Sequence, residues 1–265
     1  MSKLQKACLG FIVVLGIASL WVSISPPHGT YETDAVKALE PPGFGVLFGR
    51  DSLGRNLFYR VLEGAQVSIS IGLASSALAF LIGLFIGSGI SLLPRQLEAL
   101  CLRGIEILLA LPHLMLMAIL FLILQTALGS AFSELALITV ALALGSWMSM
   151  ARITRNLLRS EMTKDYIQGA KAVGASWPRI VVKHLFPNIL STLLVFWSLQ
   201  IPQALLAEGA LSFLGFGVKS PHVSWGLLLQ DGWRSLASYP HLLLGPSLAL
   251  FLTVFSFNIL LRRPT

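Results

Sequence analysis

Residues 66–93, QVSISIGLASSALAFLIGLFIGSGISLL, contain no charged side chain and are apolar over most of their length. A helix needs about 20 consecutive apolar residues to cross the hydrocarbon core of a bilayer, so this run is long enough. The whole chain has the same character, because 55% of its 265 residues are hydrophobic and only 12% are charged. Ordinary soluble domains contain about 25% charged residues. The sequence therefore predicts an all-α polytopic membrane protein.

Five further apolar runs are candidates for membrane spans. Gly83 and Gly87 in the second span form a G-x-x-x-G pattern, which lets two membrane helices pack closely. Pro202 and Glu208 interrupt the fifth span, which is therefore predicted to be kinked or broken. A cleaved signal peptide is the alternative for residues 1–25, but no small-x-small site follows cleanly, and an uncleaved first helix is favoured. The predicted spans are residues 7–25, 66–93, 104–128, 134–150, 189–212 and 241–261.

Lysine and arginine residues are distributed unevenly between the two sides of these spans. If the N-terminus lies inside, the inner segments hold 13 of the 19 basic residues and the outer segments hold 6. Because basic residues concentrate in cytoplasmic loops, this count predicts six spans with both termini in the cytoplasm. The formal charge of +7 is attributed to this topology and not to nucleic-acid binding. The basic residues are not interleaved with aromatic residues, as they would be in a nucleic-acid-binding patch.

The predicted topology divides the chain into three parts. Residues 1–65 form a first transmembrane helix and an outer loop, and residues 66–261 form a transmembrane core. Residues 151–188 within that core are a cytoplasmic loop between the fourth and fifth spans. Residues 262–265 form a short tail.

The cytoplasmic loop is predicted to be a structured element. Asp165 to Val173 suits a short helix, and Gly174 can adopt the left-handed conformation that ends one. Ser176 is a candidate N-cap for a second helix, which Pro187 and Asn188 are predicted to break before the fifth span. Small residues around the bend permit close approach of a partner, so a docking surface and a plain interfacial helix both stay open. These small residues are Gly169, Ala170, Ala172 and Ala175.

This loop resembles the "EAA" loop of ABC-importer permease subunits. In that family a Glu-Ala-Ala triplet precedes a glycine, and an isoleucine and a proline follow. Here the triplet is Gln168-Gly169-Ala170, the glycine is Gly174, and Ile180 and Pro187 follow. This chain departs from the family pattern, with Gln in place of Glu and Gly in place of the first Ala. These departures affect any salt bridge that the usual Glu forms, but they do not affect the turn. The resemblance implies an ATPase-coupling loop that includes Asp165 and Ala175.

Three further segments are similar to the peptide/nickel subgroup of these permeases, and within it to the second permease type. Residues 48–56, FGRDSLGRN, resemble "LGTDxLGRD", and residues 208–218, EGALSFLGFGV, resemble "EAALSFLGLGV". Ser220-Pro221 and Ser224-Trp225-Gly226 match the "PP…SWG" that follows, whereas the usual "GDxLRDxLDP" tail is missing. The matching positions are Asp51, Gly54 and Arg55 in the outer segment and Glu208, Ser212 and Gly215 in the fifth span.

The resemblance implies a multi-pass permease subunit in a bacterial inner membrane, forming half of the translocation pathway of an ATP-driven importer. Di- or oligopeptides are the favoured cargo, with nickel as the alternative, because the chain has no stripe rich in Met or His. The implied partners are a second homologous permease, two cytoplasmic ABC ATPase subunits and an extracytoplasmic substrate-binding protein. The chain contains no G-x-x-x-x-G-K-[ST] motif, so ATP and Mg are expected on the ATPase subunits, with no cofactor or metal site here.

Two other classes of function were weighed against a permease. A membrane enzyme would need a catalytic constellation, and neither H-E-x-x-H nor G-x-S-x-G occurs in the sequence. A gradient-driven carrier is less favoured because no inverted repeat is convincing. His113 follows Pro112 and is interpreted as a local hydrogen-bonding residue rather than a metal ligand. Glu208 is interpreted as a structural hydrogen-bonding group, to a broken helix or to the partner permease, rather than a substrate ligand.

Overall fold

The computed structural model describes residues 2–27, 30–129, 131–219 and 222–261, and within these ranges every regular element is helical. The Ser220-Pro221 part of the predicted motif and the tail of residues 262–265 lie outside the described residues. Short turns are Ala35–Lys37 (3-10) and Val181–Leu185 (π). The α-helices are α1 (Lys3–Ile24), α2 (Leu57–Leu92), α3 (Arg95–Leu109), α4 (His113–Leu128), α5 (Glu134–Met162), α6 (Asp165–Ala172), α7 (Trp177–Ile180), α8 (Phe186–Phe213), α9 (Trp225–Arg234) and α10 (His241–Leu260).

Five of these helical segments are long and apolar enough to cross a membrane, and a bent pair makes a sixth candidate. The pair consists of α3 and α4, which meet at 95° across a short break. A single helix over residues 104–128 was predicted, and this prediction is wrong because the helix stops at Leu109. Pro112 explains the break, since a proline disfavours helical conformation in the residue before it and supplies no N–H.

Helices α2 and α5 pack against each other through the predicted G-x-x-x-G pattern. A Cβ atom added to Gly83 would lie 2.6 Å from Cβ of Met150, and one added to Gly87 would lie 2.8 Å from Cβ of Thr154. Contacts advance in the same direction along both helices, so α2 and α5 run parallel. The intervening α3–α4 pair must therefore return the chain to the side on which α2 begins, as a single crossing does.

The start of α1 and the end of α10 lie on the same side of the bundle. Gln5 at the start of α1 donates a hydrogen bond to the carbonyl of Ile259 near the end of α10, at 3.4 Å. An even number of crossings requires this arrangement. Which side is cytoplasmic stays a prediction from the count of basic residues.

Helix α5 extends beyond the predicted span of 134–150 and carries its basic residues onto a neighbouring helix. Nε of Arg155 and Nε of Arg159 lie 2.6 Å and 2.9 Å from Oε1 of Glu98 on α3. Arg159 also donates to the carbonyl of Leu93 at the end of α2, at 3.1 Å. The shared arginine face thus joins the end of α2, the start of α3 and the end of α5 directly before the loop of residues 164–188.

Helix α8 runs without interruption through Pro202, so of the two outcomes predicted for the fifth span the break is wrong. Pro202 is buried within the bundle. In membrane helices, neighbouring helices, side chains and local adjustments of the backbone satisfy the groups that a proline leaves free.

Candidate functional site

The loop of residues 164–188, which the count of basic residues predicts to be cytoplasmic, bends at a left-handed glycine cap. Helix α6 ends at Ala172, and Gly174 has φ +79°. The N–H of Ala175 donates to the carbonyl of Ala170 at 3.0 Å, which is the six-to-one hydrogen bond of a Schellman motif. The predicted left-handed turn at Gly174 is confirmed. A Cβ atom there would meet no described atom within 4 Å, so the requirement for glycine is one of backbone conformation.

The second loop helix begins at Trp177, directly after Ser176, as the sequence predicts. Its predicted end is wrong, because α7 continues through the π turn into α8 and Pro187 lies in the first turn of that helix. Pro187 has no N–H to donate, and it directly follows the π turn, where the i→i−4 hydrogen-bond pattern of the segment is already interrupted. The N–H of Phe186 donates to the carbonyl of Val181, the wider spacing of a π turn. The second loop helix is therefore continuous with a membrane-spanning helix.

Apolar side chains attach the inner face of the loop to the bundle. Ile167 on α6, Ile180 on α7 and Leu185 in the π turn are fully buried. They belong to one cluster with Leu84 of α2 and Leu158 of α5. The loop therefore packs as part of the protein core.

Hydrogen bonds add a second attachment between the loop and its flanking helices. Gln168 donates its side-chain amide to the carbonyl of Met162 at the end of α5, at 3.2 Å. A glutamate carboxylate has no proton to donate in this contact, so the departure from the usual Glu changes the interaction. The hydroxyl of Tyr166 donates to Glu161 and accepts from Asn188 at 2.7 Å. Partial burial, together with the Glu161 carboxylate, raises the pKa of Tyr166 above its ordinary value.

Several of the predicted positions lie on an exposed outer face of the loop. Asp165 lies in the first turn of α6, and Asp165, Gln168 and Gly169 are exposed. Val173 beside the turn is 86% exposed, which makes it the most exposed large apolar side chain among those that the structure describes in the loop. The sequence interpretation did not single out Val173. The one sequence signal for Val173 was that an apolar residue stands at the end of a short polar helix.

The outer motif forms a compact turn before α2. Oδ2 of Asp51 lies 2.7 Å from Nε of Arg55, and its Oδ1 accepts from the N–H groups of Leu53 and Arg55 at 2.9 Å. Asp51 and Arg55, two of the matching motif positions, therefore form an ion pair within this turn. Gly54 has φ +78° and lies against the backbone of Asp34, so a side chain at this position has neither the conformation nor the space.

The segment around Glu208 forms a buried junction between α2, α8 and α9. Glu208 is fully buried, and its two oxygens accept hydrogen bonds from Ser68 and Ser212, each at 2.8 Å. Ser68 in turn accepts from the N–H of Trp225 at 3.1 Å. The indole N–H of Trp225 donates to the carbonyl of Val61 at 2.9 Å. These contacts hold the start of α9 against two membrane helices.

Gly215 ends α8 in the same manner as Gly174 ends α6. It has φ +89°, and its N–H donates to the carbonyl of Ser212 at 3.1 Å. The N–H of Phe216 donates to the carbonyl of Leu211 at 2.9 Å, which completes a Schellman motif. The predicted positions Glu208, Ser212 and Gly215 therefore belong to one structural unit.

The Glu208→Leu substitution is expected to destabilise the folded protein by about 2 kcal/mol, because two buried serine hydroxyls lose their acceptor. Glu208→Gln keeps one carbonyl oxygen as an acceptor at nearly the same volume, and is expected to cost less. Thermal denaturation of both purified variants in one detergent measures the difference. Equal melting temperatures for Glu208→Leu and the unsubstituted protein would contradict the role assigned to this carboxylate.

A cavity of about 280 Å³ lies between α2, α5, α8 and the bend that joins α3 to α4. The oxygen Oε1 of Gln200 is buried and has no hydrogen-bond partner among the residues that the structure describes. The sequence interpretation missed this site, except that His113 was considered as a local hydrogen-bonding residue. The available signal in the sequence was a pair of glutamines, Gln200 and Gln203, within an apolar span. The polar residues of the wall are Ser76, His113, Ser146, Ser149, Gln200 and Gln203.

Comparison with known proteins gives consistent matches. Residues 79–263 match the family described as "Binding-protein-dependent transport system inner membrane component". The oligopeptide transport system permease protein OppC of Bacillus subtilis is 33% identical over 97% of this chain and 82% of its own length. The dipeptide transport system permease protein DppC of the same organism is 32% identical over 98% of this chain and 79% of its own length. OppC of Escherichia coli K12 is 35% identical, over 97% and 84%.

The fold is also similar to that of a solved structure. A chain of the MetNI methionine ABC transporter, in an inward-facing conformation, aligns with a TM-score of 0.62 at 18% identity. The alignment covers 77% of this chain and 95% of that chain. At this level of identity the likeness establishes the fold alone.

Proposed function

The chain belongs to the family of binding-protein-dependent transport system inner membrane components, and we propose that it is the permease subunit of an ATP-driven importer of di- and oligopeptides. The relatives that align over nearly its whole length are named as oligopeptide and dipeptide permeases. Nickel, the alternative cargo, has no support in those names. The observation that carries the proposal is the loop of residues 164–188, which is fixed to the bundle on one face and exposed on the other.

The loop has the properties that a coupling element requires. We assign its outer face, with Asp165, Gly169 and Val173, to contact with an ABC ATPase subunit. A displacement of this face reaches the membrane region through the turn at Gly174 and then through α7, which passes through the π turn into α8 without a break. Helix α8 carries Gln200 and Gln203 into the cavity wall. Closure of the ATPase subunits would therefore change the shape of the cavity through a single continuous helical segment.

The remaining partners follow from the same assignment. A second permease would complete the translocation pathway, and an extracytoplasmic binding protein would deliver the substrate. ATP and Mg²⁺ would be held by the two ATPase subunits, so this chain acts by conformational change and not by catalysis. Two hydrogen-bonded elements give the outer side of the chain a defined shape on which a binding protein would dock. They are the turn of Asp51, Gly54 and Arg55 and the junction at Glu208.

The proposal is tested by removing the chain from its host strain and measuring uptake of a labelled dipeptide, a labelled tetrapeptide and nickel. Loss of peptide uptake, restored by the chain and not accompanied by loss of nickel uptake, is the expected result. Isolation of the chain with bound ATPase subunits tests the partner assignment independently. Loss of nickel uptake with peptide uptake unchanged would overturn the proposed cargo.

A further inference from the structure

A second cavity, which we call the loop-side cavity, lies where the ends of α2 and α5 meet the π turn. Its volume is about 220 Å³. Eight of its ten lining residues are leucine, phenylalanine, methionine or valine, and the other two are Ser88 and Ser91. The hydroxyl of Ser91 donates to the carbonyl of Ser88 at 2.7 Å, so it is satisfied within α2. The wall is therefore almost entirely apolar.

An apolar wall of this size favours an apolar guest over water. An engineered apolar cavity of about 150 Å³ in an unrelated protein stays dry and binds benzene. Phe85 and Leu92 line the loop-side cavity and are 74% and 54% exposed, on a helix that is long and apolar enough to cross a membrane. The cavity is thus reached from the membrane-facing surface of α2, where lipid acyl chains are the available apolar groups.

The guanidinium of Arg159 lies at the rim of the loop-side cavity. Arg159 stands between Leu158 and Met162 in the sequence of α5, and helix positions close to it on both sides line the cavity. Its Nη2 donates to the carbonyl of Leu93, the residue that follows Leu92 of the cavity wall. A positive charge therefore stands where the apolar wall reaches the end of α2.

The charge at this rim is only partly neutralised. Arg155 and Arg159 share one carboxylate, that of Glu98. Arg95, one turn before Glu98, is exposed and has no ion pair among the residues that the structure describes. We call Arg95, Arg155 and Arg159 the arginine cluster. With one carboxylate for three guanidinium groups, the cluster is suited to an anion.

The arginine cluster also has N–H groups that a ligand can reach. Nη2 of Arg155 and Nη1 of Arg159 have no hydrogen-bond partner within the described chain, and neither atom is buried. Arginine N–H groups bind phosphate oxygens, often in pairs. The count of basic residues predicts this side to be cytoplasmic, and basic residues at that surface of a membrane attract anionic lipids.

We propose that the loop-side cavity binds an anionic phospholipid, with one acyl chain in the apolar space and the phosphate against the arginine cluster. The inference goes beyond the proposed function, because it does not depend on the cargo. Val181 and Leu185 of the wall belong to the π turn that joins the loop of residues 164–188 to α8. A bound acyl chain would fill the space between this turn and the ends of α2 and α5.

The test uses the complete transporter in phosphatidylcholine vesicles that contain a trace of one photoreactive lipid. This lipid is either phosphatidylglycerol or phosphatidylcholine, with a diazirine on one acyl chain, and mass spectrometry locates the peptides that it labels. Phosphatidylglycerol is expected to label the segments around Leu92 and Met162 about fivefold more than phosphatidylcholine does. A difference of this size is the effect of about one basic residue at an anionic membrane surface.

A substitution that fills the loop-side cavity tests where the acyl chain lies. Ser88→Phe places a ring in the cavity, and most of the labelling by phosphatidylglycerol at both segments is expected to be lost. Ser70→Phe makes the same change on α2 at an exposed position outside this cavity, and is expected to leave the labelling unchanged.

A second variant keeps the test decisive if Ser88→Phe does not assemble. Arg95→Gln removes one charge from an exposed side chain, and is expected to lower the ratio of phosphatidylglycerol to phosphatidylcholine labelling by about twofold or more. Arg103→Gln makes the same change at an exposed position farther along α3, and is expected to leave the ratio unchanged.

Three results would overturn the inference. The first is equal labelling of both segments by the two lipids, and the second is unchanged labelling in Ser88→Phe. The third is the absence of label from both segments, which is expected if the second permease covers this surface. Loss of peptide uptake plays no part in these readouts, so the proposed function stands or falls separately.

Discussion

Gly174→Val is expected to reduce peptide uptake about tenfold or more and to abolish stimulation of ATP hydrolysis by the loaded binding protein. Gly174 has φ +79°, a region that β-branched residues occupy only under strain. The strain amounts to about 1–3 kcal/mol, and about 1.4 kcal/mol corresponds to a tenfold change in an equilibrium. Relief of that strain would move Val173 and break the hydrogen bond from Ala175 to Ala170. The ATPase would then meet a loop of altered shape.

Two control variants separate backbone strain from the mere addition of a side chain. Asparagine enters the left-handed region more readily than other residues with a side chain, so Gly174→Asn is expected to retain most of the coupling. Gly104→Val adds the same side chain at a helical position on α3, outside this loop, where a Cβ atom meets no described neighbour within 4 Å. Uptake and stimulated hydrolysis that remain normal in Gly174→Val would contradict the role assigned to the turn.

Local features of the fold were predictable from the sequence because they are decided by neighbouring residues. The turn at Gly174 depends on a glycine after a short helix, and the Asp51–Arg55 pair depends on residues four apart. The G-x-x-x-G contact at Gly83 and Gly87 was also predictable as a close packing site. The sequence did not identify α5 as the partner helix, since the pattern describes only one of the two surfaces.

Prediction from the sequence failed where a contact joins distant segments, and where the effect of a proline depends on the helix around it. Glu98 pairs with Arg155 and Arg159 across more than fifty residues, and the spacing of the arginines reveals their shared face but not their acceptor. Pro187 was expected to break a helix, and instead it directly follows the π turn, where the hydrogen-bond pattern of a continuous helical segment already departs from i→i−4 spacing.

The cavity was missed for the same reason as the arginine acceptor, because its wall exists only after distant helices pack. Ser76 comes from α2 and Ser149 from α5, and neither has a distinctive sequence neighbourhood, whereas Gln200 on α8 had Gln203 three residues later as its one signal. The polar side of α8 becomes visible only when Gln200 and Gln203 are seen to line one space.

Gly87→Leu is expected to prevent stable packing of α2 on α5 and to leave little folded protein. Even a single added carbon at this position would lie 2.8 Å from Cβ of Thr154 and 3.0 Å from the carbonyl carbon of Ala151. Overpacking of a well-filled interior costs about 1–3 kcal/mol, and occasionally more, so Gly87→Ala is expected to show the smaller effect and Gly87→Leu the larger. The yield of monodisperse protein and its melting temperature in detergent measure both.

Gly89 supplies a matched control two residues away on the same helix. A Cβ atom at Gly89 meets no atom of the described chain within 4 Å, so Gly89→Leu adds the same side chain to open space. It is expected to fold normally, and the loss of a helical glycine even favours the helix. Similar yields and melting temperatures for Gly87→Leu and Gly89→Leu would contradict the packing argument. Because α2 and α5 supply Ser76 and Ser149 to the cavity wall, Gly87→Ala should also slow transport in the molecules that fold.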